Sequence, residues 1–313
     1  MKRLLGTVIT LVVLGWFISI AVVTQDIGRI ILLIRSTKFA FYLVFLLITA
    51  LAVSLSSTNL FLLLLPFKNS PSWKRVFKLD LLSLLGVYYT PGGSGALAFL
   101  VYMLKKEGVE PEDSTSCFLL DKFITLAMAV CSFIILLFFY TRTWIVALDV
   151  TKAALSAGGI LALSLIALAF RATRRFAVLL VDRIAIFRRY PMIVLTNLVI
   201  TAGVFFLSAC QFYFVFRALD LKPPEFSRLL ISYGPISIMG YLPFTISGAG
   251  VSETVAVAMW RGPGLGSEEI IAAFLVARIF TLVTTFILPA LIYGSRFWQL
   301  RFSKDLRKLP QIP

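Results

Sequence analysis

Two glycine-rich breaks hold much of the polar chemistry of an otherwise apolar chain. One is Thr90-Pro91-Gly92-Gly93-Ser94-Gly95, and the other is Thr245-Ile246-Ser247-Gly248-Ala249-Gly250. A short apolar run follows each, about 96–104 and 251–260, which predicts two half-helices. The N-terminus of such a helix offers free N–H groups and a positive dipole end, so it suits an anion. In a membrane the obvious anion is a lipid phosphate. Gly92, Gly93, Gly95, Gly248 and Gly250 would let backbone approach a headgroup, with Thr90, Thr245 and Ser247 beside them. The same glycines could equally turn a hairpin and let helices pack closely.

Four ionisable residues complete the candidate binding set. Glu253 falls in the first turn after Gly250, where a carboxylate offsets the dipole of its own helix. Coupling to protons, or contact with a cationic headgroup or Arg278, is the functional alternative. Arg278 and Lys122 each lie inside an apolar run, where an ionisable side chain either snorkels to the interface or is functional, binding a lipid phosphate or pairing with Asp121 or Glu253. Asp121 adjoins Lys122 but points to another face of the helix, so a partner on a different helix is expected.

Other chemistries are excluded. The chain has no His, which removes His-based triads, His general bases and His-ligated metals. Its three Cys lie in or beside apolar runs and form no framework. No Asp-x-x-x-Asp pair accompanies the apolar runs to hold Mg²⁺, and no Walker A motif is present. Neither an enzymatic activity nor a cofactor is expected.

The elements that must position these residues follow from composition. The 313 residues are 59% hydrophobic and 14% charged, with a mean hydropathy of +0.95. Soluble domains carry about a quarter charged residues. The net charge of +15 therefore reports basic loops on an anionic membrane face rather than nucleic-acid binding. Clean apolar runs at 4–23, 39–65, 117–140, 153–170, 191–216 and 270–293 predict six full spans. The first resembles a signal peptide, but its length and the lack of a small-x-small cleavage site predict a retained span.

The segments 81–104 and 229–260 are broken, and the positive-inside rule decides whether they cross. If neither crosses and the N-terminus is cytoplasmic, 19 Lys and Arg lie inside and 9 outside; if both cross, the numbers are 16 and 12. The first arrangement predicts an all-α integral membrane protein with six spans and two oppositely oriented re-entrant hairpins. The first hairpin enters from the cytoplasm and the second from outside. The basic loop 171–190 reads as an amphipathic segment on the cytoplasmic leaflet, residues 24–38 as a similar one outside, and 294–313 as a basic tail.

The two broken segments also match each other. Ser83–Gly86 resembles Ser237–Gly240 at offset 154, the glycine-rich breaks match at 155, and Leu119–Leu126 resembles Leu275–Leu282 at 156. This predicts a repeat, about 66–140 and about 222–293, within one transmembrane domain. With opposite starting sides the repeats are inverted, which is the sequence pointer to a transport site near the midplane.

The Pro91–Gly95 break, the Asp121-Lys122 pair, the run Ser247-Gly248-Ala249-Gly250-Val251-Ser252-Glu253 and Ala277-Arg278 together resemble the transmembrane, flippase-like domain of the lysylphosphatidylglycerol synthase family. The likeness spans about 5–295. It implies a prokaryotic plasma-membrane protein that moves an anionic phospholipid or a polyprenyl-phosphate-linked lipid between leaflets. Lys122 stands where the family usually has Arg, which would form a bidentate fork. No loop exceeds about 20 residues, so a soluble synthase domain has no room within these residues. Two alternatives stay open: a non-transporting partner of an envelope-lipid enzyme, and an ion or small-solute transporter.

Overall fold

The computed structural model describes residues 27–89, 94–140, 182–240, 248, 250–262 and 264–293. In lipid, backbone N–H and C=O groups have no water to bond, so a chain this apolar must satisfy them within helices. Among the described residues the helices are α1 (Ile27–Arg35), α2 (Phe41–Leu64), α3 (Trp73–Tyr89), α4 (Ser94–Lys106), α5 (Pro111–Tyr140), α6 (Pro191–Ala218), α7 (Phe226–Met239), α8 (Val251–Trp260) and α9 (Ser267–Tyr293). A 3-10 turn, Ile186–Arg189, precedes α6. Pro191 opens α6 at a position where its missing N–H costs nothing. Glu112 and Asp113 sit at the positive end of α5, and Glu268 and Glu269 at that of α9.

Among the described residues four helices are long and apolar enough to cross a membrane: α2, α5, α6 and α9. They coincide with the expected spans 39–65, 117–140, 191–216 and 270–293. The expected spans 4–23 and 153–170, most of the loop 171–190, and the tail 294–313 lie outside the described residues. The remaining helices are shorter. At about 1.5 Å per residue, α4, α7 and α8 reach less than the roughly 30 Å of a hydrocarbon core.

α3 packs on α4 and α7 on α8, giving two helix-break-helix hairpins, while α2 lies along α6 and α5 along α7. Glycine permits the closest of these contacts. A Cβ on Gly86 would stand 2.5 Å from the Ala96 nitrogen, so only glycine lets α3 reach the start of α4. In the second hairpin a Cβ on Gly248 would meet the Gly240 nitrogen at 2.9 Å, and Gly248 has φ +72°. Gly234 of α7 presses on Ala129 of α5 in the same way.

Each hairpin begins and ends at one end of the bundle. Arg75, near the start of α3, donates to Glu107, just past α4, at 2.8 Å. Asn69 likewise donates to the Gly108 carbonyl at 3.2 Å. In the second hairpin Arg228 of α7 reaches the Arg261 carbonyl after α8 at 3.5 Å. The two bases lie at opposite ends of α9. Tyr293, at its C-terminus, donates to the Lys78 carbonyl beside the first base. Its N-terminus directly follows the second base and holds Glu269 against Arg29 of α1.

The remaining surface ion pairs respect the same division. Arg183 pairs with Glu110 and Asp113 at one end, and Lys38 with Asp220 at the other. The Lys38 ammonium, 2.8 Å away, holds the Asp220 carboxyl below its usual range. The main apolar core surrounds Trp260, 1% exposed, whose indole packs against Phe212, Phe216 and Phe274 and donates to Ser232 at 2.6 Å.

Candidate functional site

Of the sequence-predicted residues, Thr90, Gly92, Gly93, Thr245 and Ser247 fall outside the described residues. Gly95 lies in the first turn of α4, where the chain meets Gly86. Gly250 is the residue before α8, with φ +84°, a conformation that ends the preceding loop at no steric cost.

Glu253 combines the two roles expected of it. Its Oε2 accepts the Gly250 N–H at 2.8 Å, closing the first turn of α8. Its Oε1 accepts from Arg278 Nε of α9 at 2.7 Å, with Glu253 buried and the Arg278 side chain 12% exposed. The positive end of α8 thus carries its own carboxylate, which is in turn neutralised by a cation from the neighbouring helix.

Asp121 and Lys122 make two of the contacts weighed for them. Adjacent helix residues point about 100° apart, yet the long Lys122 side chain folds back, and its ammonium reaches Asp121 at 2.9 Å. The cation also lies 5.1 Å from the Phe118 ring. The expected partner on another helix is present as well: Asn197 of α6 donates to Asp121 at 3.4 Å.

Asp121 and Lys122 face a cavity of about 250 Å³ between α2, α3, α5, α6, α7 and α9. Its wall is unusually polar for the middle of an apolar bundle. Thr49, Ser56 and Asn59 line it from α2, and Thr201, Ser208 and Gln211 from α6. Tyr233 and Ser237 of the second hairpin contribute, as does Thr281, one turn beyond Arg278 on α9. Buried at 9% exposure in the first hairpin, Asp80 accepts from Ser57 at 2.8 Å.

The residues on α2 and α6 escaped the sequence reading, although a signal was available. Both triplets read Thr, then a polar residue seven positions on, then an amide three positions further, and they are related by a constant offset of 152. Seven and three are helical spacings that keep one face. In space the triplets cross antiparallel and reciprocate. Gln211 donates to Thr49 at 2.7 Å, and Asn59 donates to Thr201 at 3.2 Å. Each threonine gives its own proton to the carbonyl four residues back, Thr49 to Phe45 and Thr201 to Asn197, both at 2.8 Å. Asp80 offered a weaker signal, an acid followed by Leu81 and Leu82.

Hydroxyls and amides line a small chamber, and its one charged pair is mutually neutralised. Among the described residues no group of three or more His, Cys, Asp or Glu is placed to hold a metal.

Comparison with curated proteins gives no match. A family model described as the lysylphosphatidylglycerol synthase TM region matches residues 3–288. With its long apolar helices and a match over nearly its whole length, this multi-pass membrane protein belongs to the family of lysylphosphatidylglycerol synthase transmembrane regions.

Proposed function

We propose that the protein moves a lipid between the leaflets of a prokaryotic plasma membrane, passing the headgroup through the central cavity while the acyl chains stay in the bilayer. The observation that carries this reading is the polar chamber of about 250 Å³ inside a bundle whose long helices are apolar. Buried polar groups at membrane depth are costly and are kept where something polar must pass or bind. The volume falls near the lower end of small-molecule pockets, which suits a headgroup rather than a whole lipid.

In this reading the hairpins α3–α4 and α7–α8 are re-entrant, from opposite faces, within six full spans. Their equivalent internal glycine contacts and the crossed Thr-Ser-Asn and Thr-Ser-Gln triplets support an inverted repeat. Both termini face the cytoplasm, as the charge distribution favours. The substrate is an anionic phospholipid or a polyprenyl-phosphate-linked lipid, whose phosphate would meet Lys122. The glycine-rich breaks and Thr90, Thr245 and Ser247 belong to the path of the headgroup, and the Glu253–Arg278 pair anchors the second hairpin. The protein acts without enzymatic chemistry.

The test is reconstitution in vesicles with a fluorescent phospholipid or a polyprenyl-phosphate sugar, beside Lys122→Met and Arg278→Ala. Transfer by the wild type and its loss in the variants is the expected result. Absence of transfer for every lipid tried overturns the reading in favour of an accessory partner for an envelope-lipid enzyme.

A further inference from the structure

Asp80 is a buried acid to which the headgroup path gives no role. It stands 9% exposed on α3, and among the described residues no Lys or Arg forms an ion pair with it. Its partners are two serines. Ser57 Oγ of α2 is 2.8 Å from Asp80 Oδ2 and also 2.8 Å from the Val53 carbonyl. Ser83 Oγ is 2.7 Å from the Asp80 carbonyl and 3.3 Å from Asp80 Oδ1.

Each hydroxyl thus has one proton for two acceptors. With Asp80 ionised, Ser57 must leave the Val53 carbonyl to serve the carboxylate. That carboxylate then has at most two neutral donors and no paired cation, in a poorly solvated place. With Asp80 protonated, Oδ2–H donates to Ser57 Oγ, Ser57 donates to Val53, and Ser83 keeps its nearer carbonyl. Every proton then has its acceptor, and no unpaired charge is buried.

The cluster lies just behind the wall of the central cavity. Leu84 is one turn from Asp80 on α3, Val53 is one turn from Ser57 on α2, and both line the cavity, as does Ser56. Steps of one turn keep the helix face. The Asp80–Ser57 contact is therefore the next layer toward the base of the first hairpin, where α2 ends and α3 begins. Lys122 and Asp121 of α5, both on the cavity wall, are the charged groups that act on Asp80. By Coulomb's law the cation favours its carboxylate and Asp121 opposes it.

The titratable groups on the helices packed against α3 are engaged or lie toward the helix ends. α2 carries no charged residue, and its Tyr42 bonds to Thr284. α4 has Tyr102, Lys105 and Lys106 toward its end. On α9, Arg278 is held by Glu253, and Tyr293 donates to the Lys78 carbonyl. On α3 itself Arg75 is held by Glu107, Lys78 lies over the Tyr293 ring, and Lys74 is exposed.

We propose that Asp80 is a proton-binding site linked to the chamber, protonated while an anionic group sits beside Lys122 and deprotonated when that group leaves. The inference rests on the transport reading, in which a headgroup phosphate meets Lys122, and adds a proton that moves with it. An anion beside Lys122 cancels the pull of the cation on Asp80, so anion and proton strengthen each other's binding by the same factor. On release the Asp80 Oδ2–H bond breaks, its electron pair stays on the carboxylate, and the proton passes to water. Ser57 then swings its own proton from the Val53 carbonyl to Oδ2. Glu253 offers no such site, since Arg278 holds its carboxylate.

The experiment needs binding only. The full chain is purified and exchanged into phosphatidylcholine discs with or without phosphatidylglycerol, whose phosphodiester does not titrate near neutrality. Retained phosphatidylglycerol is counted by mass spectrometry, and the infrared absorption of protonated carboxyl groups is recorded on the same samples. The chain has no His, so a response near neutrality points to a displaced acid. From about pH 8 to about pH 6 the wild type is expected to retain about tenfold more phosphatidylglycerol. At fixed pH the lipid should raise the protonated-carboxyl absorption. Asp80→Asn, which mimics the neutral acid, should retain lipid at the acid level throughout and lose the lipid-dependent absorption.

Excess sulfate in discs of phosphatidylcholine alone distinguishes the sources. If sulfate raises the absorption, any anion beside Lys122 suffices; if only phosphatidylglycerol does, the anion is read on a lipid. Both results uphold the proton site. Retention that is flat with pH in the wild type, or absorption that ignores both anions, overturns the inference with no variant needed. An undiminished pH dependence in a monodisperse Asp80→Asn protein overturns it too. A wild type that shows the linkage but moves no lipid between vesicle leaflets sinks the transport reading alone, and one that moves lipid without the linkage sinks this inference alone.

Discussion

Gln211 of α6 donates to Thr49 of α2 at 2.7 Å, and the same bond recurs with the roles of the helices exchanged, from Asn59 to Thr201 at 3.2 Å. Two antiparallel helices that carry the same polar triplet can face each other only in this reciprocal way. The amide of one must reach the threonine of the other at both ends of the crossing. The chamber between them is lined because the middle residues, Ser56 and Ser208, are too small to fill it.

A double-mutant cycle on Thr49→Val and Gln211→Leu should therefore show coupling of about 0.6–1.7 kcal/mol, the range for interhelical hydrogen bonds in membranes. Thermal unfolding in detergent supplies the four stabilities. Additive single effects would mean that the 2.7 Å contact contributes nothing in the bilayer-like state.

The Glu253–Arg278 pair makes a sharper demand. Glu253 is buried and Arg278 only 12% exposed, so removing one charge deprives the other of this counter-charge in a poorly solvated place. Arg278→Ala should cost about 3–5 kcal/mol, and Glu253→Gln a comparable amount, because its single amide oxygen can accept from Gly250 or from Arg278 but not from both. Glu253→Gln with Arg278→Met should recover much of the loss. Melting temperatures that fall further in the double variant than in Arg278→Ala would contradict this account.

Gly86 and Gly203 separate close approach from helix propensity. A Cβ at Gly86 meets backbone at 2.5 Å, whereas one at Gly203 meets only the end of the Leu55 side chain at 3.5 Å. Gly86→Ala should destabilise by about 1–3 kcal/mol through forced separation of α3 and α4. Gly203→Ala should be neutral or stabilising, by up to about 1 kcal/mol. Equal effects on the melting temperature would show that the hairpin arms do not depend on that contact.

The long helices were legible because a run of some 20 apolar residues has one stable solution in lipid. The ends of α8 were legible too, as Gly250 and Glu253 mark its start. The cavity was not. Its polar residues are ordinary Ser, Thr, Asn and Gln, dispersed along α6 and, in α2, set partly within the run Ser56-Ser57-Thr58-Asn59, at a cost too small to lower the apolar character of either helix. Only the shared spacing of the two triplets marks them, and that becomes meaningful once the helices are seen to cross. For Asp121, helix geometry favoured a partner on another helix over the adjacent Lys122, yet both contacts form, because the long lysine stem can fold back.

The two hairpin bases can be assigned to faces by chemistry. In a variant with Cys117, Cys131 and Cys210 replaced by Ala, single cysteines at Lys74 and Lys105 should react with an impermeant maleimide from one side of sealed vesicles. Cysteines at Lys222 and Arg261 should react from the other. Labelling of Lys74 and Lys105 from opposite sides would make the first hairpin a crossing pair. That would break the link drawn from the 2.8 Å bond between Arg75 and Glu107.

Lys122 gives the test that divides structure from transport. Its ammonium holds Asp121 at 2.9 Å on the wall of the chamber, and Asn197 alone, at 3.4 Å, would be left to stabilise the carboxylate without it. Lys122→Met should therefore lower both stability, by about 1–3 kcal/mol, and lipid transfer. Neutralising the stranded acid as well, in Asp121→Asn with Lys122→Met, should restore the melting temperature, since no unpaired charge remains. Transfer should stay at least tenfold below wild type if the ammonium meets a headgroup phosphate, because the double variant offers that phosphate no cation. Recovery of transfer together with stability would instead make the pair a packing device, and would move the phosphate contact away from α5 to the glycine-rich breaks.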